Sequence, residues 1–175
     1  MVENYSCGKG LILCFQPLKI FAVANTYTQL HIQFVFAVKY RAALINKIWN
    51  DKLHGYITGI IQNYEHKMLQ INSVPDHIHI FIGMRPHQSV SALMQIVKSE
   101  STNWINENEF CAFPFAWQKG YGAFSYAKSQ VHNVIRYIQN QEKHHSKQNF
   151  LDEYRNFLNA FEIDWDEQYI FKEPE

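Results

Sequence analysis

Residues 27–38 alternate cleanly. Leu30, Ile32, Phe34, Phe36 and Val38 fall on one side, and Gln29, His31 and Gln33 on the other. Side chains alternate across an extended strand, so this stretch predicts a first strand with a core face and a polar face. The period then changes. Leu44, Ile48, Leu53, Ile57, Ile60 and Ile61 recur at helical spacing over 44–63, although Gly55 and Gly59 weaken the helix. Residues 67–74 predict a second strand, Pro75-Asp76 a tight turn and 77–83 a third strand, so the pair reads as a hairpin. A second helix is expected over 89–106. Ser89 or Ser91 can cap it, and Val90, Leu93, Met94, Val97, Trp104 and Ile105 form its apolar stripe. The aromatic-rich stretch 115–124 predicts a fourth strand. Ser125 or Ser129 then opens a long helix to about residue 147, and 149–161 predicts one more amphipathic helix.

The order β-α-β-β-α-β is the split βαβ, or ferredoxin-like, arrangement of the α+β class, here followed by two extra helices. Its two crossover helices cover one face of an antiparallel sheet. Ile78, Ile80 and Ile82 on the third strand are expected to pack there. His77 and His79, on the alternate positions, then face the other way, toward an extra helix or a ligand.

Composition narrows the class. A chain of 175 residues with 47% hydrophobic and 15% aromatic content suits one domain with a real core and excludes disorder as the default. No apolar run approaches the roughly 20 residues that cross a bilayer, so no membrane partner is expected. Cys7, Cys14 and Cys111 have neither metal-ligand spacing nor an even count, and read as thiols of a reducing, cytoplasmic compartment. The formal net charge is +0, but eight acidic residues fall within 150–175 against two basic ones, which leaves a surplus of +6 in residues 1–149. A mildly basic body with an acidic tail keeps a nucleic-acid partner in play. Residues 1–24 differ from the rest. Ala22-Val23-Ala24 resembles a small-residue cleavage site, but the apolar stretch before it is short and interrupted, so a poorly ordered N-terminal extension is expected there. The expected division is therefore 1–24, a main domain over 25–148, and a C-terminal helix and tail over 149–175.

Two imidazoles on one strand face suit a divalent cation, though two ligands seldom make a site. The late helix can supply more. Tyr137 and Gln141, four residues apart, become neighbours on a continuous helix, with Asn133 and His144 extending the same face. If that face meets the histidines, Gln141 offers a third ligand and Tyr137 a hydroxyl. His144 and His145 are alternative ligands, since imidazole is the commoner donor. Lys39, Arg41, Lys98 and Arg136 are candidate contacts to DNA phosphates, and Trp117, Tyr121 and Phe124 could stack bases.

The sequence His77-Ile78-His79 after Pro75-Asp76, joined to Tyr137-Ile138-Gln139-Asn140-Gln141 on a late helix and to a strand ending in Lys39-Tyr40-Arg41, resembles the single-tyrosine HUH transposases of the smallest bacterial insertion sequences (the IS-two-hundred-like group). The resemblance runs from about Thr26 to His145. It implies an enzyme that cuts and rejoins single-stranded DNA at hairpin ends of its element, acting as a homodimer without a nucleotide cofactor. Tyr137 would be the nucleophile, leaving a 5′-phosphotyrosine, and Mg²⁺ or Mn²⁺ would be held by His77, His79 and Gln141. Two rivals share the fold: an HUH nuclease acting at origins or chromosomal repeats, and a domesticated nucleic-acid-binding module without turnover. A two-histidine phosphoesterase lacks support, because no second histidine motif with a hydroxyl residue is present.

Overall fold

The computed structural model describes residues 27–145, 149–167 and 170, with the backbone alone at His144 and His145. The N-terminal extension, Cys7, Cys14 and the end of the acidic tail lie outside the described residues. Strands β1 (Leu30–Ala37), β2 (Lys67–Val74), β3 (His77–Met84) and β4 (Gly122–Tyr126) form one sheet in the order β2-β3-β1-β4. Every pairing is antiparallel, with Ala37 opposite His77 and Val35 opposite His79. Helices α1 (Asn50–Asn63) and α2 (Val90–Glu107) are the crossovers. The architecture is the expected α+β ferredoxin-like one.

Alternation decides the two faces. Phe34, Phe36, Ile78, Ile80 and Ile82 point to one side and pack with Leu53, Ile57, Ile61, Leu93 and Val97 of α1 and α2. Ser89 caps α2, its hydroxyl accepting from the Ala92 amide at 3.2 Å. On the other side, Phe81 packs with Val131, Val134 and Ile138, while Val35, Ala37 and Phe124 pack with Phe150, Leu151, Tyr154 and Leu158. These come from α3 (Val131–Gln139) and, after the short α4 (Gln141–His145), from α5 (Phe150–Ala160). Asn149 caps α5 through the Asp152 amide at 2.9 Å. Gly122 lets α5 approach β4: a Cβ there would stand 2.9 Å from both Phe124 and Tyr154 ring carbons.

Three expected boundaries move. The first helix starts at Asn50 rather than near residue 44. Leu44 and Ile45 still face the core, but the Ile45 amide bonds Pro75 O, and the Asn46 side chain accepts from the Ile48 amide. Leu44 therefore mimics the helical period from a core-lining loop, whereas Ile48, the next residue of the expected stripe, points to solvent at 84% exposure. The fourth strand begins at Gly122 rather than near 115. Asn106 brackets both backbone groups of Phe115, Lys98 Nζ takes the carbonyls of Gln118 and Gly120, and Gly120 adopts φ +83°. Side chains thus satisfy the backbone that a ladder would otherwise use. Only Trp117 keeps a bridge, to Val38. Finally, the long helix is broken. Ser125 lies in β4, Lys128–Gln130 form a single turn, and α3 ends at Gln139. Asn72 of the edge strand β2 donates to Ile138 O at 2.8 Å, and Asn140 Nδ2 donates to Arg136 O at 2.7 Å. Asn72 captures a carbonyl that a continuing helix would have bonded, Asn140 Nδ2 adds a second bond to a carbonyl its own backbone amide already holds, and Gln141 begins a separate turn.

Candidate metal and tyrosine site

β3 places both imidazoles, fully buried, beneath the sheet, with ring centroids 5.2 Å apart. Each is held at Nδ1. His77 donates from Nδ1 to Asp76 Oδ1 at 2.7 Å, and Asp76 in turn meets Arg41 Nη2 at 2.5 Å and Nε at 3.1 Å. Burial alone would raise the Asp76 pKa. The hydrogen bond and charge of His77 and the Arg41 guanidinium outweigh it and bring the carboxyl down to about 2. His79 Nδ1 lies 2.9 Å from Gln33 Nε2, and Gln33 Oε1 accepts from the Tyr126 hydroxyl at 2.9 Å. Burial lowers the His77 pKa against the opposing pull of Asp76, so the ring is kept neutral, the form that binds metals.

Both Nε2 atoms converge on Glu153 of α5. Its Oε2 stands 3.7 Å from His77 Nε2 and 3.8 Å from His79 Nε2. Burial, helped by the nearby Asp76 charge, pushes the Glu153 carboxyl up to about 8. Gln141, fully buried, donates from Nε2 to Glu153 Oε1 at 3.2 Å and also hydrogen-bonds His77. One ligand atom from each of His77, His79 and Glu153 can be chosen so that all lie within 4.8 Å of one another. Ligand atoms sharing a cation at about 2.1 Å stand roughly 3–3.5 Å apart, so a small inward movement suffices. Two imidazoles, a carboxylate and an amide fit a divalent cation. Of the two expected ions, the nitrogen donors suit Mn²⁺ better than Mg²⁺.

Tyr137 is half-buried on α3. Its ring meets His79 of the same chain edge-on, with centroids 6.1 Å apart, and Phe157 at 5.7 Å. Tyr137 and Phe157 border two clefts of about 250 and 230 Å³. One is shared with Glu153, Asn156 and Ala160, the other with Gln33, Tyr126 and Asn133. The fold thus brings His77, His79, Gln141 and Tyr137 into one neighbourhood, although Gln141 arrives on its own turn and not as a helical neighbour of Tyr137. The side chains of His144 and His145 lie outside the described residues.

The four cations are dispersed. Arg41 is committed to Asp76 and packs 5.0 Å from the Phe150 ring, which itself lies 4.0 Å from the His77 ring. Lys98 stands on α2, on the opposite side of the sheet, where burial lowers its pKa to about 8. Arg136 is exposed and bonds Asn133, and Lys39 is exposed beside Tyr40. Sequence reasoning missed Glu153 and Gln33. Glu153 had a signal: it interrupts the apolar stripe of Phe150, Leu151, Tyr154 and Leu158. Gln33 reads as one polar residue of an alternating strand, and only the register with His79 reveals it.

The fold class is that of DNA transposases. The chain is similar to the crystal structure of a candidate transposase from Deinococcus radiodurans R1 at 18% identity, covering 67% of this chain and 95% of that one with a TM-score of 0.56. It is also similar to a REP-associated tyrosine transposase bound to a REP hairpin, at 13% identity, 70% and 72% coverage and a TM-score of 0.53. No curated protein matches. The chain belongs to the family described as Transposase IS200 like, which it matches over residues 26–141. Membership implies DNA cleavage and transfer. Among the described residues no helix is long and apolar enough to cross a membrane.

Proposed function

We propose that this chain is a metal-dependent single-tyrosine DNA transposase that cuts and rejoins single-stranded DNA at the ends of an insertion sequence. One observation carries the reading: Tyr137 packs against His79 at the same buried centre where His77, Gln141 and Glu153 converge. The Tyr137 phenolic oxygen attacks a scissile phosphate. A P–O bond to tyrosine forms as the bond to the 3′ oxygen breaks, giving a 5′-phosphotyrosine and a free 3′-hydroxyl. The phenol gives up one proton and the 3′ oxygen takes one up, so the step is neutral overall. The ester keeps the phosphodiester's energy, and a 3′-hydroxyl can reverse the step to join a new end.

His77, His79 and Gln141, with Glu153, would hold Mg²⁺ or Mn²⁺. When bound, the ion would orient the scissile phosphate and offset its developing charge. Asp76 fixes the His77 ring so that Nε2 faces inward. Gln33 has the same task at His79, where a cation at Nε2 requires the proton on Nδ1. A half-turn of the Gln33 amide presents its oxygen to that proton and leaves its nitrogen to the Tyr126 hydroxyl. In this reading residues 25–148 form the catalytic domain, and 149–175 add the helix that closes its site. The hairpin bound by the REP-associated neighbour supports hairpin ends as the DNA partner; a homodimer is the assembly that the family resemblance implies. Lys39 and Arg136 remain the candidate cations free to meet phosphate.

Incubation with a labelled single strand from the DNA flanking the gene and Mn²⁺ should yield a covalent protein–DNA adduct. Tyr137→Phe should abolish it. An adduct that survives in Tyr137→Phe removes Tyr137 from its role. Tight DNA binding with no adduct under either metal favours the binding module.

A further inference from the structure

We propose that the cleft formed by Tyr40, Trp117, Gln118 and the lysines Lys39 and Lys119 binds one unpaired nucleobase of the DNA strand, stacked on Tyr40 with its edge against Gln118. This rests on the reading above and adds a recognition site to it. The cleft has a volume of about 340 Å³ and is lined by these residues and Ala116, with no acidic side chain among them.

The backbone is built to display Tyr40. Tyr40 and Arg41 both take left-handed conformations, at φ 57° and 51°. Such conformations are costly for non-glycine residues and persist only where surroundings impose them. Here the Arg41–Asp76 ion pair and the Arg41 amide bond to Val38 O impose them. The turn leaves Tyr40 51% exposed, with Lys39 Nζ 5.0 Å from its ring centroid. An exposed aromatic face beside cations is what stacks a base and meets its phosphates.

The opposite wall is rigid and carries an unmet polar group. Trp117 is nearly buried, and its indole donates to Ser101 Oγ at 2.9 Å. Lys98 Nζ clamps the carbonyls of Gln118 and Gly120 at 2.6 Å each. The Gln118 side-chain oxygen is buried and has no hydrogen-bond partner among the described residues. A buried acceptor left so is costly, and a rotation of the Gln118 side chain would bring it into the cleft it lines, where a base N–H can meet it. Every base offers an N–H on its Watson–Crick edge, and pairing hides it. The cleft therefore selects single strands by chemistry as well as by shape.

Position ties the cleft to the reacting centre. Ala37, opposite His77, takes a hydrogen bond from the Gln118 amide at 2.8 Å, and the Lys39 amide bonds Ala116 O at 2.9 Å. Tyr40 is three residues past Ala37, at most ~10 Å of chain. A strand with its phosphate at the imidazoles reaches the cleft within a few nucleotides. Arg41, next to Tyr40, also holds the Asp76 that orients His77, so base capture and imidazole geometry share one turn.

The test is fluorescence anisotropy of the full chain, without metal, against a fluorescein-labelled single strand from the DNA flanking its gene and a series with one abasic site moved along it. Tyr40→Ala and Gln118→Leu should each weaken binding about ten-fold, and Tyr40→Phe should not. One abasic position should cost wild type a similar factor and cost Tyr40→Ala nothing further. Circular dichroism melting identifies any variant that fails to fold, and Tyr40→Phe against Tyr40→Ala keeps the comparison within folded proteins. If Tyr40→Ala binds as tightly as wild type, weakens duplex binding equally, or shows the same abasic profile, the proposal is overturned. Loss of the Tyr137 adduct reaction with the abasic coupling intact would instead count against the catalytic reading alone.

Discussion

The two faces of the sheet both bury residues of its central strands, β1 and β3, and differ in what they bury. Against α1 and α2 lie Phe34, Phe36, Ile78, Ile80 and Ile82, all at 0% exposure and all apolar. Against α3, α4 and α5 lie Gln33, His77 and His79, also at 0%, together with Gln141 and Glu153. Burying polar groups costs stability unless each is partnered, so the second face contributes less to folding than an apolar face of the same size. What it gains is a preorganised set of polar groups, each held by a partner: His77 by Asp76, His79 by Gln33 and Glu153 by Gln141. A strand's two-residue period lets adjacent positions on β3 serve these separate ends.

Neighbouring substitutions test the division most severely. His79→Gln should reduce adduct formation by ~100-fold or more, with a stability change well below that of a core truncation. Ile80→Ala, one residue on, should cost about 2–5 kcal/mol in urea unfolding yet leave adduct formation by the folded fraction intact. The comparison breaks if Ile80→Ala silences a folded protein or His79→Gln unfolds it. Next in size is Gln33→Leu, expected to weaken Mn²⁺ binding about 10–100-fold by titration with electron paramagnetic resonance, while Gln33→Glu retains it. Equal Mn²⁺ affinity in Gln33→Leu would make Gln33 a packing residue.

The smallest effect concerns pH in the metal-free protein. The Glu153 carboxyl sits near 8 when folded against an ordinary value of 4.5. Across that interval the unfolded chain is ionised and binds fewer protons than the folded one, so stability falls as pH rises. His77, lowered by burial, acts in the opposite sense below its ordinary 6.5. The clean window is therefore pH 6.5 to 8, where denaturant titration should show a loss of roughly 1–2 kcal/mol that Glu153→Gln abolishes. An unchanged slope in Glu153→Gln would assign the loss to another group.

Periodicity made the first face legible in detail. The alternation of β1 and β3 and the stripes of α1 and α2 spell out most of its core in the sequence itself. The second face was legible only where a compact motif marks it, at His77-Ile78-His79 and Tyr137. Gln141 was placed by assuming an unbroken helix. The break comes from Asn72, a residue 66 positions before the carbonyl it captures, and no local pattern encodes that. Glu153 escaped for a similar reason. A carboxylate on an apolar stripe is visible in sequence, but its meeting with two imidazoles depends on how closely α5 seats on β4, which Gly122 permits.

That seating sets a practical limit on trimming the protein. The stretch shared with the family stops at residue 141, before the final helix begins. A fragment cut there would present Val35, Ala37 and Phe124 as a bare greasy patch, open the His77 imidazole to solvent and remove the Glu153 carboxylate from the proposed cation site. Chimaeras and minimal expression clones therefore have to run past Ala160, through Ile170, to keep that face covered.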